Sequence, residues 1–186
     1  MDTQHESAVK CVRNEIRCLQ ELSPQQNIIG FVHAKEFANY IILAIEYAPG
    51  GTLQDLIKGS RKGTVNLTEE KCRVIMRSIF RGLQHIQLEM DLVHRDLKPS
   101  NIVIQKLSDL ETVKIVDFGL AVSIKSRVEL MSTCGTLIYQ APEQIFTNAR
   151  QSKSIDVFAC GFILFEMLTG GKHPIMQKGE DKQQYR

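Results

Sequence analysis

His94-Arg95-Asp96-Leu97-Lys98-Pro99-Ser100-Asn101 decides how this sequence is read. It places an imidazole, a guanidinium, a carboxylate, an ammonium and a carboxamide within eight residues, and Pro99 keeps the stretch out of a helix interior. Chemistry-bearing side chains in an irregular segment are what a rigid scaffold holds out for binding or catalysis. Working outward, Asp117-Phe118-Gly119 follows, then Ala141-Pro142-Glu143, each again in a stretch without helical or strand periodicity.

The flanks read as regular structure. Val12, Ile16, Leu19 and Leu22 lie on one helical face, which predicts a helix over 8–22 with Glu15 on the edge of its apolar stripe. Ser23-Pro24 stops that helix, and Gln25-Gln26-Asn27 follows as a loop. Residues 28–33 and 40–47 read as strands. Tyr40-Ile41-Ile42-Leu43-Ala44-Ile45 is apolar and β-branched, as a buried strand would be. Pro49-Gly50-Gly51 ends it, and 52–58 reads as a short helix. Thr68-Glu69-Glu70 opens a helix carried by Ile75, Ile79, Leu83 and Ile86 to about residue 90. Strands are expected after the His94–Asn101 stretch, up to 104, and at 113–116, with 107–111 in the turn between them. The last helix begins at Ser154 or Ile155, is apolar nearly all round to Leu168 and is expected to be buried on most sides. Gly170-Gly171 stops it.

Composition narrows the function classes. The chain has 186 residues, 43% hydrophobic and 24% charged, which suits one globular domain and excludes a disordered chain, a collagen and a coiled-coil rod. A net charge of +2, from 23 basic and 21 acidic residues, gives no reason to expect nucleic acid or an anionic membrane as main partner. The polar start is unlike a signal peptide. The longest apolar run, Val157–Phe165, is nine residues, against the roughly 20 a membrane helix needs. An intracellular, soluble protein is expected, in the cytoplasm or the nucleus. Cys11, Cys18, Cys72, Cys134 and Cys160 are odd in number and form no C-x-x-C pair, so they read as mostly buried free thiols.

The three motifs together are H-R-D-L-x-x-x-N, D-F-G and A-P-E, in that order. Five fixed residues of the first alone would recur by chance at roughly one site in three million. On these motifs the sequence resembles the protein kinase family over about 8–175, and Lys98 with Thr136 makes it look like the serine/threonine branch. The resemblance implies an α+β, two-lobe fold and transfer of the ATP γ-phosphate to Ser/Thr hydroxyls of protein substrates, with ATP and Mg²⁺ as cofactors. It implies Asp96 as acceptor of the substrate proton, Lys98 beside the γ-phosphate, and Asn101 and Asp117 as hard oxygen ligands of Mg²⁺. Glu15 looks like the helix-C glutamate that pairs with the ATP-contacting lysine. Ile45 looks like the gatekeeper, with Glu46 and Ala48 offering backbone groups to adenine, Val103 covering the ring and Leu53 packed nearby. Leu19, Phe31, His94 and Phe118 resemble the apolar spine between the lobes. Asp156 reads either as the aspartate that holds the catalytic loop or as an ordinary first-turn helix acid. Between Gly119 and Ala141 the family carries its activation loop. There Ser132 or Thr133 would take a phosphate from an upstream kinase, with Thr136 nearby and Arg95 receiving the phosphate. Val122 stands where many relatives have a second basic residue. Thr52 and Ser100 replace acids that some relatives use to read a basic residue before the target, while Leu137 and Tyr139 would shape the pocket after it.

The family pattern is incomplete. The sequence contains no G-x-G-x-x-G and no V-A-I-K-like strand before Glu15. The expectation is a partial kinase domain: residues 1–47 as a remnant of the small lobe (helix C and strands 4 and 5 in family terms) and 48–186 as an incomplete, mainly helical large lobe. In it Glu143 lacks the arginine that the family supplies. Two functions stay open: a serine/threonine kinase represented by part of its chain, and a non-catalytic truncated protein acting as a binding or regulatory module. As it stands, the chain is expected to be poorly active or inactive.

Overall fold

In the computed structural model, residues 3–126, 134–145 and 151–175 are described. The first helix, α1 (Thr3–Leu22), starts five residues before the position that periodicity predicts. Residues 6–8 and 10 are exposed, and apolar spacing reports where a helix meets a core, not where it begins. Cys18, Leu19 and Leu22 are fully buried.

β1 (Phe31–Glu36) and β2 (Ile41–Ile45) form an antiparallel pair, with Ala34 opposite Leu43 and Glu36 opposite Ile41. Two expectations are corrected here. Ile28 and Ile29 do not belong to the first strand. They pair instead with Ile115, through a bridge at Ile28 and a bond from the Ile29 N–H to the Ile115 carbonyl (3.0 Å). Nor is the second strand buried, since Tyr40, Ile42 and Ile45 are exposed. A two-stranded sheet packed on α1 covers only part of its own surface.

α2 (Leu53–Arg61) begins at Thr52, whose hydroxyl accepts from the Asp55 N–H while Asp55 accepts from the Thr52 N–H. This reciprocal cap satisfies two donors that a helix start leaves open. α3 (Glu69–Gln84), capped by Thr68, continues through a wide helical turn at residues 85–89, so the expected end near 90 is met. β3 (Leu92–Val93) pairs with β6 (Val122–Ser123). β4 (Ile102–Lys106) pairs with β5 (Asp109–Ile115), so the turn at 107–111 tightens to residues 107–108. After a short helical turn at 137–139 come α4 (Pro142–Ile145) and α5 (Ser154–Thr169), which Gly170 ends in the left-handed conformation (φ 66°).

α5 is less enclosed than expected. Ile155, Ala159, Cys160, Ile163 and Met167 are buried, but Val157, Phe165 and Leu168 face outward. One apolar core runs from Leu19 and Leu22 on α1 through Ile75 and Ile79 on α3 and Ile115 on β5 to Ile163 on α5. Asn27 stitches its middle: its amide donates to the Glu111 and Val113 carbonyls (3.0 and 2.8 Å), and its own carbonyl takes the Ile115 N–H (3.0 Å). The five cysteines are free, three of them buried.

Candidate active site

The loop from His94 to Asn101 leaves β3 and is anchored from below by α5. Asp156, 1% exposed in the first turn of α5, accepts the His94 N–H on one carboxylate oxygen and the Arg95 N–H on the other, both at 2.9 Å. Gln87 donates to the same carboxylate at 2.9 Å. Both sequence readings of Asp156 therefore meet in one residue, a first-turn acid that also holds the loop. Arg95 adopts φ 69°, a conformation uncommon for a non-glycine residue, and these bonds secure it. The fully buried His94 ring accepts from the Asp96 N–H at Nδ1 (3.3 Å), which leaves Nε2 to donate to the Val116 carbonyl (3.0 Å). Its edge meets the Phe118 ring at 5.0 Å.

Asp96 is held from three directions. Its Oδ1 accepts both the N–H and the hydroxyl of Thr136, each at 2.8 Å. Its Oδ2 accepts from Lys98 Nζ at 2.6 Å and lies 3.3 Å from Asn101 Nδ2. Lys98 also donates to the Thr136 hydroxyl at 2.8 Å. Asn101 Nδ2 reaches the Asp96 carbonyl (3.0 Å) and Asp117 Oδ2 (3.3 Å). Asp96, Lys98, Asn101, Asp117 and Thr136 thus form one hydrogen-bonded group. Gly135 is required at its edge. At φ 94°, a Cβ there would stand 2.5 Å from the Arg95 carbonyl.

Glu15 lies above this group, half-buried on α1. Burial first, and the Asp117 charge second, push its carboxyl above the usual carboxylate range, against the opposing pull of the Phe118 backbone N–H. Among the described residues no lysine or arginine forms an ion pair with Glu15 or Asp117. Asp117 and Asn101 supply one carboxylate and one amide oxygen, a set that fits Mg²⁺ shared with phosphate oxygens and waters. Among the described residues no cluster of three or more His, Cys, Asp or Glu side chains could form an all-protein metal cage.

Opposite lies the segment after β2. The Glu46 N–H bonds the Gly30 carbonyl (2.8 Å), and its carboxylate takes the Gly30 N–H (3.0 Å) and pairs with Lys114 (3.1 Å). The Ala48 carbonyl accepts from Gly51 (3.4 Å), and among the described residues neither the Glu46 carbonyl nor the Ala48 N–H shows a backbone hydrogen bond. Val103 on β4 bridges Thr52 and packs on the core, where Leu53 is wholly buried.

These features together match one known scaffold. A family model described as "Protein kinase domain" matches residues 1–186. The chain belongs to the protein kinase domain family. It is 33% identical over 169 residues to calcium-dependent protein kinase 27 of Arabidopsis thaliana, covering 91% of this chain and 34% of that protein. It is 34% identical over 161 residues to maternal embryonic leucine zipper kinase of Xenopus tropicalis (86% and 23%), and 38% over 144 residues to a probable myosin light chain kinase of Dictyostelium discoideum (77% and 28%). The chain spans about a quarter to a third of the length of these curated relatives. Its helices and small antiparallel sheets make a partial kinase-like two-lobe fold. No described helix is long and apolar enough to cross a membrane.

Other residues sit where the resemblance did not fully reach. Ser132 and Thr133 lie outside the described residues. Arg95 is nearly buried and its Nε donates to the Leu120 carbonyl (2.8 Å). Val122 is buried in β6, next to the apolar Val93 cluster. Glu143, expected to lack the family's arginine, accepts from the Ser154 hydroxyl at 3.2 Å. Sequence reasoning missed Gln87, Lys114 and Asn14. None belongs to a motif, and their bonds to Asp156, Glu46 and the turn after Asp117 span 68 or more residues, so no spacing rule would find them.

Proposed function

We propose that the chain is the catalytic segment of a serine/threonine protein kinase, moving the γ-phosphate of ATP to Ser/Thr hydroxyls of protein substrates inside the cell. The observation that carries this reading is the Asp96–Thr136–Lys98 group beside Asp117. Phosphoryl transfer rests mostly on positioning and charge neutralisation. Three donors hold the Asp96 carboxylate, which keeps it oriented to accept the proton of an incoming hydroxyl. Lys98, already beside Asp96, balances charge on the transferred group. Asn101 and Asp117 would hold Mg²⁺, which neutralises phosphate charge when bound. The Glu46 carbonyl and the Ala48 N–H would pair with adenine, and Val103 would cover it with Leu53 supporting that wall from the core. Residues 1–47 would serve as small-lobe elements and 48–186 as large lobe. A phosphate placed on Ser132 or Thr133 by an upstream kinase would face Arg95 and order the segment leading to Thr136.

The other reading, a non-catalytic binding or regulatory module, has one observation in its favour: Glu15 meets the Asp117 charge and pairs with no lysine among the described residues. One experiment separates them. ADP affinity with Mg²⁺ and phosphate transfer to a serine/threonine peptide are measured for the wild type, Asp96→Asn and Asp117→Asn, alone and in a longer chain supplying a glycine-rich loop and lysine. In the longer chain, Asp96→Asn is expected to keep nucleotide affinity and lose about 10²–10⁴-fold in transfer, the usual worth of a positioned base. Asp117→Asn is expected to lose both. Full activity of Asp96→Asn would refute the role of Asp96. No nucleotide binding in either form would favour the binding module.

A further inference from the structure

Gln140 lies between the helical turn at 137–139 and Pro142 and has no part in the roles above. Its N–H closes that turn on the Leu137 carbonyl (3.1 Å), and the residue is buried. The side chain turns back along the chain. Its Nε2 donates to the carbonyls of Cys134 (2.6 Å) and Gly135 (3.3 Å). An amide nitrogen carries two hydrogens, one for each carbonyl. Oε1 is buried and meets no donor among the described residues, so the nitrogen alone ties the amide down. Reversing the amide would set Oε1 against both carbonyls, which fixes the end that faces them.

The clasped carbonyls belong to the two residues before Thr136. Residues 134–136 lie in no helix or strand, and Gly135 holds a left-handed φ of 94° that glycine alone adopts freely. No ladder of backbone bonds therefore keeps this stretch in place. Yet Thr136 must be placed well, because it gives Asp96 Oδ1 both its N–H and its hydroxyl, each at 2.8 Å. Past the turn, Tyr139 is fixed to α5 through its hydroxyl on Glu166 (2.7 Å). Gln140 ties the unsupported stretch to this anchored end and closes the loop from 134 to 140 on itself, with Thr136 inside it.

We propose that Gln140 is a positioning residue: its carboxamide clamps the 134–135 backbone so that Thr136 stays on the Asp96 carboxylate. The consequence for phosphate transfer rests on the kinase reading; the clamp itself does not. Gln140→Met keeps the length and bulk of the side chain and removes the donor. Gln140→Glu keeps the shape and turns a carboxylate toward two carbonyls. A space-filling role leaves methionine silent, whereas a donor role makes it disruptive and glutamate at least as severe.

The test is amide hydrogen exchange of the full chain, read by NMR at Thr136. The amides of 75–83 in α3 report global stability, and those of His94 and Arg95, held by Asp156, report the rest of the loop. With Gln140→Met, exchange at Thr136 is expected to rise about tenfold, the scale of a lost hydrogen bond to buried groups, with less than about twofold change in both controls. In the longer chain with a glycine-rich loop and lysine, kcat for a serine/threonine peptide is expected to fall by a similar factor while Mg·ADP affinity holds, because Thr136 bonds Asp96 and not Asn101 or Asp117. Unchanged exchange at Thr136, a rise no greater than in the controls, or glutamate milder than methionine would overturn the clamp. A kcat that holds while Thr136 exchange rises, or nucleotide affinity that falls with kcat, would overturn the link to Asp96. If the wild-type longer chain transfers no phosphate, the kinase reading fails, and the exchange comparison alone decides the clamp.

Discussion

Glu15 shows how far one side chain departs from its ordinary chemistry. Burial, and then the Asp117 charge, raise its carboxyl pKa, so the folded chain favours the protonated form more than the unfolded chain does. A raised folded pKa contributes stability that is present below the ordinary carboxyl value, about 4.3, and is lost as pH rises through the raised one. Glu15→Gln, which cannot ionise, should therefore be more stable than the wild type at pH 7 and lose that advantage as pH falls below about 4. Urea midpoints at the two pH values check this. A wild type more stable than Glu15→Gln at pH 7 would mean that a cation already satisfies Glu15. Asp156 is a buried carboxylate whose three donors hold the loop that carries Asp96.

Among the elements, α3 and α5 each carry a glycine inside a helix, and the two glycines serve different ends. A Cβ on Gly82 would meet the Asn27 carbonyl at 2.8 Å and Ile115 Cδ1 at 2.9 Å, so the glycine permits α3 to lie against the loop after α1. A Cβ on Gly161 would meet nothing within 4 Å. Alanine in a helix interior is favoured over glycine by about 1 kcal/mol. Gly161→Ala should gain up to about that amount. Gly82→Ala should be destabilised, because overpacking costs about 1–3 kcal/mol, and moving Asn27 also disturbs its bonds to β5. Denaturant midpoints of the two variants should shift in opposite directions. A stabilised Gly82→Ala would show that the α3 contact is looser than these distances.

At the scale of the whole molecule, apolar surface is the unresolved load. Val157, Phe165 and Leu168 are 49%, 41% and 54% exposed along one side of α5, and Val32, Ile42, Ile45 and Tyr47 are exposed around the β1–β2 sheet. Contiguous apolar surface promotes association. The isolated chain should therefore associate as its concentration rises, and Phe165→Glu with Leu168→Lys should shift it toward monomer in light scattering. A monomer at all concentrations with sharp two-state unfolding would contradict this.

The family and the identity of the chemical groups were legible in the sequence, because H-R-D-L-x-x-x-N, D-F-G and A-P-E are local patterns whose residue types answer to phosphoryl transfer. The helices were legible where their apolar residues mark burial: α3 on one face, α5 nearly all round, and the buried half of α1. Tertiary structure decided the rest. Periodicity records burial, so it was silent on the exposed start of α1 and misjudged β2, whose apolar run meets solvent because only part of its sheet is covered. It could not show that Ile28 and Ile29 pair with β5, since strand partners are chosen by non-local contacts. Nor could it choose between the readings of Asp156, or find Asn14 and Gln87. Their functions are hydrogen bonds to atoms distant in the chain or to backbone, and such bonds exist only once the chain has folded.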